Sequence, residues 1–168
     1  DRIVQAIDPD PENIELMRDY TDQPNLRPMV GMLGAKSGYT NYSSIRFGYG
    51  SAERAVRMRN HSAAYARRTV PTLSLDDLFT IGQLRDERLS LAHLDVEGSE
   101  LEVLHGALAV IARDRPVITT EVVVHATTDK SQQLLRFIAS LGYDCYLVEE
   151  AAGVRADIRN ILSFPRER

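Results

Sequence analysis

The segment from Leu89 to Pro116 constrains the fold of this 168-residue chain more than any other, because it specifies a strand, a sharp turn and a helix in immediate succession. Leu89, Leu91, Leu94 and Val96 make a short apolar run of the kind a buried strand carries. Gly98 frees the backbone to turn, and Ser99 followed by Glu102 has the spacing of a capping box. Leu101, Leu104, Leu108 and Ile111 then recur at helical spacing as one apolar stripe that ends near Arg113 and is stopped by Pro116. Asp95 and Glu97 are thereby expected at the carboxyl end of a strand, where open α/β sheets bind ligands.

Two carboxylates at such a rim suit several tasks. They can bind a metal, accept a proton or hold a ligand hydroxyl, each of which needs an ionisable acceptor within reach of a ligand. The plainer alternative is that Asp95 satisfies loop amides while Glu97 is solvated, since acids are common turn and cap residues.

The remaining elements follow from the same signals. Ile3, Val4, Ala6 and Ile7 form a strand-like run, and Asp8-Pro9-Asp10-Pro11 then supplies a turn, an N-cap at Asp10 and a proline at the first helical position. A helix is expected from there to about Tyr20, with Ile14, Met17 and Leu16 turned inward, and a strand from Leu26 to Leu33. Residues 35–68, rich in Gly, Ser, Tyr and Arg, carry no sustained period and read as an irregular insertion. Between Arg46 and Arg68 the insertion holds six arginines against one glutamate, Glu53; it is either a basic lid over an anionic ligand or a solvated loop.

Thr69 to Leu75 reads as extended, followed by a short helix from Asp76 to Phe79. Val117 to Val124 is a β-branched run typical of a strand buried on both faces, Asp129 to Leu141 a helix closed by Gly142, and Tyr143 to Val148 and Asn160 to Phe164 two final strands. Strands alternating with helices imply a mostly parallel sheet with helices on both faces. The last two strands lie too close in sequence for a helical crossover, so an antiparallel hairpin is expected.

Composition narrows the function classes. A formal net charge of −4 argues against non-specific nucleic-acid binding. The single Cys145 excludes internal disulfides and any zinc site built on several cysteines. No apolar run is long enough to cross a bilayer, and a cytoplasmic location is the expectation. A small-molecule substrate fits this balance, and no oligomeric state is specified.

Several segments in register resemble the FkbM-type family of S-adenosylmethionine-dependent methyltransferases. They are Ala6-Ile7-Asp8-Pro9-Asp10-Pro11-Glu12-Asn13, Val70-Pro71-Thr72-Leu73-Ser74-Leu75-Asp76-Asp77-Leu78 and, above all, Leu94-Asp95-Val96-Glu97-Gly98-Ser99-Glu100-Leu101-Glu102 with Val103-Leu104-His105-Gly106-Ala107 beyond. Arg115-Pro116-Val117-Ile118, Leu141-Gly142-Tyr143 and Arg159-Asn160-Ile161-Leu162 continue the match in order. The resemblance implies a Rossmann-like class I methyltransferase sheet whose last strand runs antiparallel, S-adenosylmethionine as cofactor, and methyl transfer to a hydroxyl of a small molecule, sugar or lipid.

By that resemblance Asp8 would hold the ribose hydroxyls, a role that acids at the end of a second strand perform in nucleotide-binding sheets. Its alternative is a turn-forming Asp before proline. Met32 and Leu33 would flank adenine or else serve as core. Asp95 and Glu97 would lie near the methionine moiety and the acceptor hydroxyl, in a crevice shared with Asp8. Glu121 or His125, at the end of the next strand, would be the base that takes the hydroxyl proton. In-line positioning matters more to methyl transfer than strong base chemistry.

The family's first strand and glycine-rich loop have no counterpart here; they are expected ahead of Asp1, in a single domain that is then incomplete at its N-terminus. The stretch alone is accordingly expected to bind cofactor weakly or not at all. His93 stands where the family usually carries a lysine. Two other classes remain open at this point: a non-catalytic remnant or binding module of the same fold, and a metal-dependent hydrolase using Asp95, Glu97 and Glu121.

Overall fold

The structure, a computed structural model, describes residues 2–20, 22–45, 65–96, 98–123, 129–148 and 158–167. The chain packs as two compact units, one of Asp1–Met32 with Ser37–Thr72 and one of Leu33–Lys36 with Leu73–Arg168. Glu97 and His125 lie outside the described residues.

In the first unit, β1 (Val4–Asp8) pairs in parallel with β2 (Leu26–Val30), Asp8 opposite Val30, and α1 (Pro11–Tyr20) joins them. Asp10 caps α1 as its sequence implies, its Oδ1 accepting from the Glu12 amide at 3.0 Å. Ile14 is the buried residue of this helix, whereas Leu16 is exposed rather than turned inward. The expected strand from Leu26 to Leu33 is broken at Gly31, although the Gly31 amide still donates to the Asp8 carbonyl at 3.0 Å and so carries the β1–β2 pairing one bond further. A short β3 (Met32–Leu33) follows.

The expected irregular insertion over 35–68 is corrected in its described parts. Gly38–Ile45 is a strand, β4, paired antiparallel along its whole length with β5 (Tyr65–Leu73). Together with β3 they make a three-stranded sheet of order β3-β5-β4. The residues of β4 from Gly38 to Asn41 are exposed, so no buried face imposed an apolar alternation on those four. The strand exists because β5 pairs with it.

The second unit holds a four-stranded sheet of order β6-β7-β9-β8, built from β6 (Leu91–Leu94), β7 (Val117–Val123), β8 (Tyr143–Val148) and β9 (Ile158–Pro165). β6 and β7 are parallel, while β9 runs antiparallel to both β7 and β8. The described strands are thus grouped as two, three and four hydrogen-bonded strands, with both parallel and antiparallel pairs. Ile118, Thr120 and Val122 are buried at alternate positions of β7, the two-residue period of a pleated strand.

The single helix expected from Ser99 to Arg113 is two, α3 (Glu100–His105) and α4 (Leu108–Asp114). Its apolar stripe is real: Leu104 and Ile111 are buried, with Val103, Ala107 and Val110 beside them, although Leu108 is exposed. The break arises at Gly106, where a side chain would collide with the Gly34 carbonyl oxygen and come within 3.1 Å of the Ala35 Cα. Only glycine permits so close a backbone approach.

The break leaves α4 with no capping side chain of its own, since Ala107 precedes it. Asp76 supplies the cap from α2 (Leu75–Thr80), accepting from the Ala109 amide at 3.0 Å and the Val110 amide at 2.9 Å. Its own amide donates to the Gly106 carbonyl at 2.8 Å. Ser74 in turn caps α2, accepting from the Asp77 amide at 3.1 Å.

Arg115 closes α4 in the left-handed region at φ 53°. Its guanidinium donates to the carbonyls of Leu141 and Gly142, both at 2.7 Å, and lies 4.6 Å from the ring centroid of buried Tyr143. It thereby satisfies carbonyls left over at the end of α5 (Asp129–Ser140). Leu134 and Ile138 of α5 are buried as their spacing implies.

Two outcomes test these contacts. Asp76→Ala removes the distant cap and is expected to lower stability by about 1–2 kcal/mol in urea unfolding. Asp114 has a fully buried side chain that accepts from Arg113 at 2.6 Å and the Leu89 amide at 2.8 Å. The Arg113 hydrogen bond, with the Leu89 amide helping, outweighs burial and holds this carboxyl below its ordinary value of 3.8. The ionised form favours the fold, so its contribution is complete above that value and is lost as pH falls through the lower, folded-state one. Asp114→Asn should therefore flatten the acid limb of a stability–pH profile below about pH 3.8, and an unchanged slope would contradict the assignment.

Candidate functional site

In the first unit the notable group is Asp8, at the carboxyl tip of β1. The D-P-D-P-E-N segment folds back on it: the Asp10 amide donates to Oδ1 at 2.7 Å, and the Asn13 side-chain amide donates to Oδ2 at 3.1 Å. Both oxygens are therefore oriented by the chain's own donors. A carboxylate oxygen accepts more than one hydrogen bond, so each retains capacity for an external donor. Such an acceptor, half-buried and held at two points, suits a pair of neighbouring hydroxyls.

Arg68 of β5 approaches the same turn, 3.7 Å from Asp10 Oδ1 and 3.7 Å from Glu12 Oε1. Neither Asn13 nor Arg68 was a candidate from the sequence. Asn13 stands in a recognisable segment, but its target is set by the turn's geometry, and Arg68 gives no local signal because its partners come from a helix more than fifty residues away in sequence. Met32 and Leu33 form β3, and both are half-buried.

The second unit carries the other candidates. Asp95 follows β6 directly and is exposed. Glu121 lies in β7, half-buried and opposite Asn160 of β9. Leu94 pairs with Thr120, so Asp95 and Glu121 stand one residue further along two adjacent parallel strands. His93, in β6, is exposed. Among the described residues no group of three or more His, Cys, Asp or Glu could hold a metal ion.

The turn after β6 differs from the expected capping box. The Ser99 side chain makes no cap hydrogen bond, its backbone lying at φ −102°, ψ 12° rather than in the extended region that aims a capping oxygen at the helix. Glu100 takes over: its Oε1 accepts from the Gly98 amide at 3.1 Å, and the residue is buried. A buried carboxylate beside a strand tip is a feature the sequence hid, because acids in a first helical turn are usually solvated. Gly98 sits at φ +91° with open space where a side chain would go. Gly98→Ala therefore carries a purely conformational penalty, expected at about 1–2 kcal/mol in urea unfolding, and a smaller effect would show that the turn relaxes.

Residues 2–145 match the family model of the methyltransferase FkbM domain. Among solved structures, the chain is similar to the methyltransferase FkbM from Methylobacillus flagellatus KT, with a TM-score of 0.61 and 20% sequence identity over 97% of this chain. That likeness is one of fold, a mixed α/β arrangement with parallel and antiparallel strands. The chain spans 36% of the length of that solved structure. Comparison with the curated proteins gives no match.

Proposed function

The chain belongs to the FkbM methyltransferase domain family, and we propose that it works in an S-adenosylmethionine-dependent O-methyltransferase acting on a hydroxyl of a small molecule, sugar or lipid. The observation that carries this reading is the Asp8 carboxylate, fixed by the Asp10 amide and Asn13 at the carboxyl end of a parallel strand. It offers two aligned acceptors where a nucleoside cofactor presents its ribose hydroxyls. The donor chemistry fits the cofactor in this respect.

When bound, S-adenosylmethionine supplies a methyl group activated by its sulfonium charge. Asp8 holds and orients the ribose, and Met32 and Leu33 offer apolar contact to the adenine. Asp95 and Glu97 serve the methionine end and the acceptor hydroxyl. Glu121 or His125 takes the proton that the hydroxyl releases, and positioning supplies most of the rate. The strands are read as parts of one Rossmann-like sheet. Among the described residues β1 pairs with β2 alone and β6 with β7 alone. Solution in the cytoplasm accords with this reading; no helix among the described residues is long and apolar enough to cross a membrane.

Two measurements test the proposal on the full-length protein. Asp8→Ala should weaken S-adenosylhomocysteine by roughly ten- to a hundredfold in calorimetric titration, the span of one or two hydrogen bonds to a charged group. Labelled methyl donor should pass its methyl to one or more members of a panel of hydroxylated metabolites. Binding that is indifferent to Asp8 would remove the basis of the reading.

A further inference from the structure

Asp8, Asp10 and Glu12 place three carboxylates at the tip of β1 and the start of α1. Crowded like charges repel, which loosens a turn unless a cation offsets them. Arg68 is placed to do so. Its side chain is 27% exposed, against 17% for Asp10 and 56% for Glu12, so water and salt screen the Asp10 contact less than the more open one to Glu12. At 3.7 Å to both Asp10 and Glu12 the contacts are ion pairs longer than hydrogen bonds, and they act through charge rather than through a fixed donor angle.

The link from Arg68 to Asp8 is short. Asp10 faces Arg68 with its carboxylate and donates to Asp8 Oδ1 with its amide at 2.7 Å. Glu12 faces Arg68 and is followed directly by Asn13, which donates to Asp8 Oδ2 at 3.1 Å. Each donor that orients Asp8 therefore sits on, or next to, a residue that Arg68 attracts. Since β5 belongs to the β4–β5 pair, the same contact ties that antiparallel pair to the first turn of α1.

We infer that Arg68 is a positioning residue for the Asp8 carboxylate, acting through Asp10 and Glu12, and that the β4–β5 pair thereby takes part in recognition of a ribose diol. The inference rests on the reading of Asp8 as the acceptor for the cofactor's ribose hydroxyls. It differs from that reading in making the geometry of Asp8 depend on a charge contributed by a strand remote in sequence.

The test compares adenosine with 2′,3′-dideoxyadenosine by calorimetric titration of the full-length protein. Wild type should prefer adenosine by about tenfold, the worth of one good hydrogen bond to a charge, and Asp8→Ala should abolish the preference. Arg68→Gln should cut the preference severalfold while leaving affinity for the dideoxy compound unchanged, and Arg68→Lys should restore part of it. An Arg68→Gln protein that keeps the full preference, or that loses both ligands equally, overturns the inference while the Asp8 reading stands. A wild type without preference, or without binding, overturns both. If Arg68→Gln does not fold, wild-type titrations at rising salt decide the matter: screening should narrow the preference, and a salt-independent preference counts against Arg68.

Discussion

The Asp76 carboxylate is the contact on which the second unit turns. It gathers two amides of α4 while its own amide binds the carbonyl of Gly106, so one side chain fixes where one helix ends and the next begins. Gly106 meets the backbone of Gly34 at that break, and the helix pair buries Val103, Leu104, Ala107, Val110 and Ile111 beyond it. Were α3 and α4 continuous, the Ala109 and Val110 amides would be taken up within the helix and Asp76 would have neither to accept from. Cap, glycine and core therefore form one arrangement in which each part presupposes the others.

Much of what marks the family in the sequence proves to be packing chemistry. The Leu75-Asp76-Asp77-Leu78 segment supplies the distant cap, and Arg115-Pro116 and Leu141-Gly142-Tyr143 meet where the Arg115 guanidinium binds two carbonyls. These segments are far apart in the chain and adjacent in the fold. Asp8-Pro9-Asp10-Pro11-Glu12-Asn13 differs from them in kind, because its hydrogen bonds converge on a carboxylate that keeps acceptor capacity to spare.

Legibility followed the range of the forces involved. α1, its cap at Asp10 and the buried face of α5 were readable because their signals lie within a few residues, whereas β7, whose β-branched run implied burial on both faces, is fully buried only at alternate positions. β4 was not, since its strand character resides in its pairing with β5 rather than in its own pattern. The division between α3 and α4 was equally hidden: the apolar stripe runs on regardless, and the backbone that approaches Gly106 is that of Gly34, 72 residues earlier. Asp8 and Asp95 stand at strand ends as expected, whereas Glu121 lies within β7. Asn13, Arg68 and Glu100 were missed because their importance lies in what they face.

Arg115 shows how one position answers to two incompatible demands. A left-handed backbone at φ 53° costs a side-chain-bearing residue about 1–2 kcal/mol, and glycine would remove that cost. Glycine would also remove two hydrogen bonds from the guanidinium, leaving the Gly142 carbonyl with the Arg166 amide alone, each such bond to a charge being worth about 1.5–3 kcal/mol. The side chain's reward exceeds the backbone's complaint, so a substitution chosen for relaxed torsion angles alone would loosen the molecule it was meant to tighten.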